Sequence, residues 1–467
     1  MPTDMHIRLG PKANWQAFLK ARSFGTRPAW LLVPGILGLF LYASFRVFWP
    51  EAGKLGEQLT AFLGLIAILV YGRGVRNSLA LWLLLAAVVV QVLSWWLGYL
   101  HHPDWVASNP EVDRLAKLFI FIGVAWWLGG STGWTFIAWG SALIFYVLAT
   151  LILGDGIQGW IRGLQGERIG FGIRNLQHGA MLFGVAFLGL VLFARRWLQP
   201  GKYRALRLTI WCVLFVICLL GVVTGQTRAI WLALLIALPV AGGLWWLYKP
   251  RDASLRTNRR FLAIGCVMAL VVLTIAGLSF DDTVEERIGT ESQVIAQLLD
   301  GRVEELPYTS IGIRIHTWRA ASEWIAERPL VGWGGEGRSL VISETAWLPD
   351  WVKQQFGHLH NFFLEVWVAY GVLGLAVIGA LAFWIGRATW LAWRGGVMPG
   401  DMALFGAAFF VYWMIVNQFE SYNSFWTGVY VHNLVVGGLV TQYWRWLVVS
   451  GQAGPVAGGA VAPRLEG

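Results

Sequence analysis

Charge is what this sequence has least of. Asp, Glu, Lys and Arg make up 13% of its 467 residues, against the roughly 25% that a soluble protein carries. That supply cannot coat a body of this size in water, so the soluble, disordered and fibrous classes are excluded. Cysteine is almost absent as well. Cys212, Cys218 and Cys266 all fall inside apolar runs, which leaves no external disulfide to form. Nothing before Trp30 has the apolar core and small-residue site of a cleavable leader, and the first apolar run is expected to serve as an uncleaved signal.

What the chain does have is apolar bulk: 57% hydrophobic residues, 56 Gly, 30 Trp and a mean hydropathy of +0.58. A bilayer core of ~30 Å takes about 20 such residues as helix. Twelve runs nearly free of Asp, Glu, Lys and Arg approach that length. They are Trp30 to Phe48, Gln58 to Gly72, Leu79 to Leu100, Leu118 to Gly129, Gly133 to Leu153, His178 to Ala194, Leu208 to Val223, Ala229 to Tyr248, Phe261 to Phe280, Phe362 to Ile385, Ala403 to Asn417 and Trp426 to Trp446. Their apolar residues are continuous rather than alternating, which favours helices over a closed barrel. The expected fold is therefore an all-α polytopic membrane protein with about 12 transmembrane helices.

Lys and Arg set the orientation. With the spans numbered in chain order, one set of loops holds 21 of the 36 basic residues against four acids, a net +17. The opposite set nets −7, so the overall +10 reports topology and calls for no nucleic acid. Both termini are expected in the cytoplasm. The chain then divides into a cytoplasmic N-terminus (1–29), spans one to nine (30–280), an outer loop (281–359), spans ten to twelve (360–446) and a cytoplasmic flexible tail (447–467). The outer loop is too long to be structureless. Ile313, Trp318, Ala321, Trp324 and Ile325 recur at helical intervals until Pro329, and a second helix could cover 284–299. A helical cap on the membrane's outer face is expected, its tryptophans at the membrane interface.

The residues suited to chemistry gather on the outer side. His360 and Asn361 lead into the tenth span, and at 100° per residue His360 would crown a helical face that continues to Gly371. A helix N-terminus disfavours imidazolium, so His360 would stay neutral and could act as a base; the plainer reading is an interfacial histidine capping a helix. Arg228 sits in a very tight turn between two apolar helices, either as a functional charge or snorkelling to headgroups. Arg168, Arg174 and Arg314 run against the acidity of the outer loops; together with Arg228 they would suit a diphosphate, while singly each reads as surface charge. His101, His102, Asp104, Glu111 and Asp113 offer ligand types for a divalent cation, a lesser reading. Gly332 to Gly337 follows no strand and so reads as a backbone turn in close approach to something, not a nucleotide loop.

These residues resemble the O-antigen ligase and polymerase superfamily of bacterial envelope proteins. Arg314-Ile-His-Thr-Trp318-Arg-Ala-Ala321, with Arg328-Pro329-Leu-Val-Gly332-Trp-Gly334, is similar to that family's arginine, tryptophan and glycine block. His360-Asn361 with Leu364 and Gly371 resembles its histidine-asparagine motif, and Thr227-Arg228-Ala-Ile-Trp231 its arginine turn. In the stretch Arg168 to Gln177, Leu176 and Gln177 stand where the family usually has proline and asparagine. Twelve spans with one dominant outer loop between spans nine and ten look like the ligase.

The resemblance implies an enzyme of the bacterial inner membrane that moves an O-antigen glycan from undecaprenyl diphosphate to the lipid A-core oligosaccharide on the periplasmic face. It implies no metal and no cofactor. Diphosphate is a good leaving group, so the needs are charge stabilisation, by Arg228, Arg314, Arg168 and Arg174, and a positioned base, His360. Asn361, Trp318 and Gly334 would position substrate, and direct attack would invert the anomeric carbon. The rivals are an O-antigen polymerase, a protein O-oligosaccharyltransferase and, from another class, a transporter of lipid-linked anions, against which the sequence shows no paired halves with interrupted helices.

Overall fold

The computed structural model describes residues 28–248, 297–298, 300–301 and 303–451, and among these the regular elements are all helical. Spans α1 (Ala29–Phe48), α2 (Pro50–Tyr71), α3 (Leu79–His101), α5 (Thr132–Ile152), α8 (Arg204–Thr224), α9 (Arg228–Tyr248), α12 (Phe362–Arg394) and α13 (Gly400–Phe419) are long and apolar enough to cross a membrane. Between them lie α4 (Phe121–Leu128), α6 (Gly156–Leu164) and α7 (Leu176–Leu192); α10 (Ser310–Glu327) and α11 (Gly337–Glu344) precede α12, and α14 (Trp426–Val449) closes the described chain. The run Phe261 to Phe280, the possible helix at 284–299, Cys266 and the terminal segments lie wholly or largely outside the described residues.

Two spans differ from expectation. Leu118 to Gly129 does not form a long helix: α4 is eight residues long, follows a 3-10 turn at Lys117–Phe119, and is buried at every position. Inside the bundle it packs on α14 and α2 rather than on lipid. The second span begins eight residues earlier than its charge-free run, because Pro50 suits the first helical position and Glu57, inside the extension, is neutralised by Arg46 at 2.7 Å. Arg46 also lies 4.6 Å from the centre of the Trp426 ring. That pairing removes the expense of two charges beside hydrocarbon.

The connections alternate between two ends of the bundle. At one end Arg196 pairs with Asp401, Trp444 Nε1 donates to Ser78 Oγ and Arg445 donates to the Gly130 carbonyl. At the other end the links 102–120 and 420–425 meet the segment 303–361, and the links 153–175 and 225–227 meet each other. This second end, the cap end, holds the site.

Glycine decides how the cap segment is seated. The expected unbroken face from His360 to Gly371 does not form: His360 precedes the helix with φ +53°, and Gly371 interrupts α12 with φ +63° and ψ −162°. Gly371 admits a loop rather than a neighbouring helix, for a Cβ there would stand 2.1 Å from the Leu330 carbonyl carbon. Main-chain bonds fill the break. Val372 N donates to the Pro329 carbonyl at 2.9 Å, Leu373 N to Leu330, Trp333 N to Val368 and Gly334 N to Ala369. The Gly332 to Gly337 turn thus makes the close approach its composition suggests, against α12, with Ser94 Oγ of α3 within 3.2 Å of Gly334 N.

Candidate active site

Asn361 fixes where α12 begins. Its Oδ1 accepts from Phe363 N at 3.0 Å and Leu364 N at 3.2 Å, an N-cap of the kind worth ~1 kcal/mol. Its amide donates to Gln418 Oε1 at 3.1 Å. Both polar ends are therefore engaged within the protein, and the side chain holds the histidine segment to the end of α13. Trp318 does related work, donating from Nε1 to the Leu359 carbonyl at 2.8 Å. Trp324 is buried and donates to Thr345 Oγ1. Trp318 itself is half-buried.

The segment so held delivers two imidazoles to one carboxylate. Glu420, directly after α13, is fully buried. His360 Nδ1 lies 2.9 Å from its Oε2 and His358 Nε2 lies 3.0 Å from its Oε1. Gln177 Nε2 donates to Oε2 at 3.1 Å and Ser421 N to Oε1 at 3.1 Å. Burial alone would raise this carboxyl, but the hydrogen bonds and charges of the two histidines outweigh it and hold it below the usual carboxylate range. An ionised Glu420 only accepts, so each imidazole donates to it, which leaves Nε2 of His360 as the ring's open atom. Glu420 belongs to no motif in the sequence; its signal is a lone acid at the end of a charge-free span.

A second buried carboxylate lies alongside. Glu365 accepts from Leu359 N at 3.2 Å, Ser421 Oγ at 2.5 Å and Ser424 Oγ at 2.7 Å, and Arg338 of α11 approaches it at 3.4 Å.

The arginines converge on the same end to different degrees. The Arg314 guanidinium is depressed by burial and supported by the Glu420 carboxylate and Tyr422. Burial and Glu420 raise the Tyr422 hydroxyl, while Arg168 and Arg314 oppose them, so both arginines stand within electrostatic reach of this ring. Arg168 also donates to the Gly225 carbonyl and to Thr227 Oγ1, each at 3.4 Å, which joins it to the turn carrying Arg228. Gln226, with φ +44°, ties that turn to the Gly166 carbonyl at 2.7 Å. Arg228 is exposed at the first position of α9. Arg174 is exposed and, among the described contacts, takes no part in this network. Gly334 serves the backbone joint described above.

Four of the five loop residues with ligand types for a cation have other partners, and Asp104 is exposed. His102 stacks on Trp105 with ring centres 4.0 Å apart, His101 packs on Trp333, Glu111 pairs with Arg114, and Asp113 pairs with Lys117. Among the described residues the group whose donor atoms could hold a metal is His358, His360 and Glu420.

Comparison with known proteins agrees with the motifs. No curated protein sequence matches the chain significantly. Residues 213–379 match the family model described as O-antigen ligase, a stretch that contains Arg228, Arg314, Trp318, His358, His360 and Glu365, while Arg168, Gln177 and Glu420 join the site from outside it. Over residues 213–379, then, the chain is similar to the O-antigen ligase family.

Proposed function

We propose that this protein is an O-antigen ligase that transfers glycan from undecaprenyl diphosphate to the lipid A-core oligosaccharide, with His360 as general base. The supporting observation is the buried Glu420 facing Nδ1 of His360, which leaves Nε2 open at the end where Arg314, Arg168 and the Arg228 turn gather. An acceptor hydroxyl attacks the anomeric carbon, its proton passes to His360 Nε2, and the glycosyl bond to the diphosphate breaks with the electron pair leaving on the diphosphate. Glu420 stabilises the imidazolium so formed, as the carboxylate does in a catalytic triad. Arg314, Arg168 and Arg228, with Arg174 a further candidate, offset the charge that builds on the leaving group. One direct displacement inverts the anomeric centre.

The membrane arrangement follows the charge sorting. Twelve spans of an inner-membrane protein place both termini in the cytoplasm and the cap, residues 281–359, in the periplasm, where lipid-linked glycan and lipid A-core would meet. Purified protein with both substrates tests the reading. A ligase makes the glycan-lipid A conjugate, whereas a polymerase lengthens the donor, a protein oligosaccharyltransferase requires a protein acceptor, and a transporter makes no bond. Donor lengthening without conjugate would overturn ligation.

A further inference from the structure

We propose that His358, His360 and Glu420 form a binding site for Zn²⁺, and that occupancy of this site switches transfer off. Their donor atoms all lie within 4.8 Å of one another. Two imidazole nitrogens and one carboxylate oxygen are a zinc donor set, whereas Mg²⁺ and Ca²⁺ prefer oxygen throughout. The site also has a floor and an opening. The Glu420 side chain is 0% exposed, while His358 and His360 are 20% and 14% exposed, so the carboxylate sits deep and the rings face the approach. The chain holds the pair in place: the two histidines are separated by one residue, and their rings stand 4.0 Å apart. An outer layer is present too, with Gln177 Nε2 and Ser421 N fixing the two carboxylate oxygens, the kind of support that orients metal ligands.

The switching half rests on the proposed role of His360; the binding half does not. The nitrogens that face Glu420 are Nε2 of His358 and Nδ1 of His360. A metal on Nδ1 of His360 leaves the proton of the neutral ring on Nε2. The nitrogen that should accept the acceptor's proton then carries one already, and the base becomes a donor. The metal-free reaction and the zinc-bound state thus exclude each other at one imidazole.

Zn²⁺ alone is the probe. Chelator-treated protein in detergent is titrated with Zn²⁺ by calorimetry, with Mg²⁺ as control. The expected result is one zinc ion per chain, no competition from Mg²⁺, and affinity at least about ten-fold weaker in His358→Ala. Protection of the His358 to His360 peptide from histidine modification by Zn²⁺ in the unaltered protein reads the same site without any substitution. Absence of binding, or binding that neither protects this peptide nor weakens in the variant, overturns the site. Transfer should fall at least about ten-fold with Zn²⁺ and return with chelator. Zinc binding with unchanged or faster transfer overturns the switch. Binding is read without substrate, so a wild-type rate in metal-free His360→Ala would sink the proposed base and leave the metal site standing.

Discussion

Glu365 and Glu420 meet at one serine: Ser421 donates its backbone N–H to Glu420 Oε1 at 3.1 Å and its hydroxyl to Glu365 Oε1 at 2.5 Å. Glu365 in turn holds Leu359 N, the residue between the two histidines. The segment carrying the imidazoles and the carboxylate that receives them are thus tied to a common support. The two acids divide the work, Glu420 on the rings and Glu365 on the backbone around them.

Glu420→Gln keeps the shape and removes the charge. It should lower the transfer rate by about 10²-fold or more, because the tautomer of His360 is no longer imposed and the imidazolium loses its counter-ion. Initial rates across pH read this directly. A variant within about three-fold of the parent with an unmoved pH profile would remove Glu420 from the mechanism.

Glu365→Gln acts on the support. An amide in place of a buried carboxylate leaves Arg338 without its counter-charge and forces one donor toward the Ser421 or Ser424 hydroxyl. A stability loss of about 1–3 kcal/mol is expected, read as a lower thermal midpoint in detergent. An unchanged midpoint would mean that these contacts add little to the fold.

Acid should expose the Glu420 contribution. Its carboxyl is held below its ordinary value in the folded protein, so the unfolded chain takes up the proton first as pH falls. The stability it supplies is complete above the ordinary carboxylate pKa of about 4.3 and is lost as pH drops below that toward the depressed folded value. The difference in thermal midpoint between the parent and Glu420→Gln should therefore hold above about pH 5 and shrink below about pH 4. A difference that grows in acid would reverse the sign argued for this group.

Arg228→Lys retains charge and loses the planar fork. If this side chain grips a diphosphate through two oxygens, kcat/KM for the lipid-linked donor should drop by at least about ten-fold at normal protein levels. Full activity would reduce its role to a point charge.

Gly371→Ala attacks the joint. The added methyl would meet the Leu330 carbonyl carbon at 2.1 Å, and φ +63° is strained for alanine. A loss of more than about 2 kcal/mol, or failure to accumulate, is expected. Ala at Gly379, where no atom lies within 4 Å, is the matching control and should be tolerated.

Much of the bundle was readable because hydrocarbon tolerates few charges. Most of the apolar runs within the described residues coincide with helix, and the charge split anticipates which links share an end. The break at Gly371 was not readable, since a glycine in an apolar run looks the same whether it lines a groove or leaves the helix. Asn361 carries a readable signal, a capping residue before a span. Glu420 could have been found by the reasoning applied to Arg228: charge at the very end of an apolar helix is expensive and tends to have work to do. What no pattern along the chain reveals is that Glu420 finds its imidazoles across sixty positions of sequence.

The seating of the cap segment on α12 is written in main-chain atoms: the amides of Trp333, Gly334, Val372 and Leu373 and the carbonyls of Val368, Ala369, Pro329 and Leu330. Such a joint asks for glycine at Gly332 and Gly371 and leaves most other side chains unspecified. A lineage can therefore rewrite the exposed faces of α10 and α11 without disturbing the placement of His360. The joint works as a fixed mount for interchangeable surfaces.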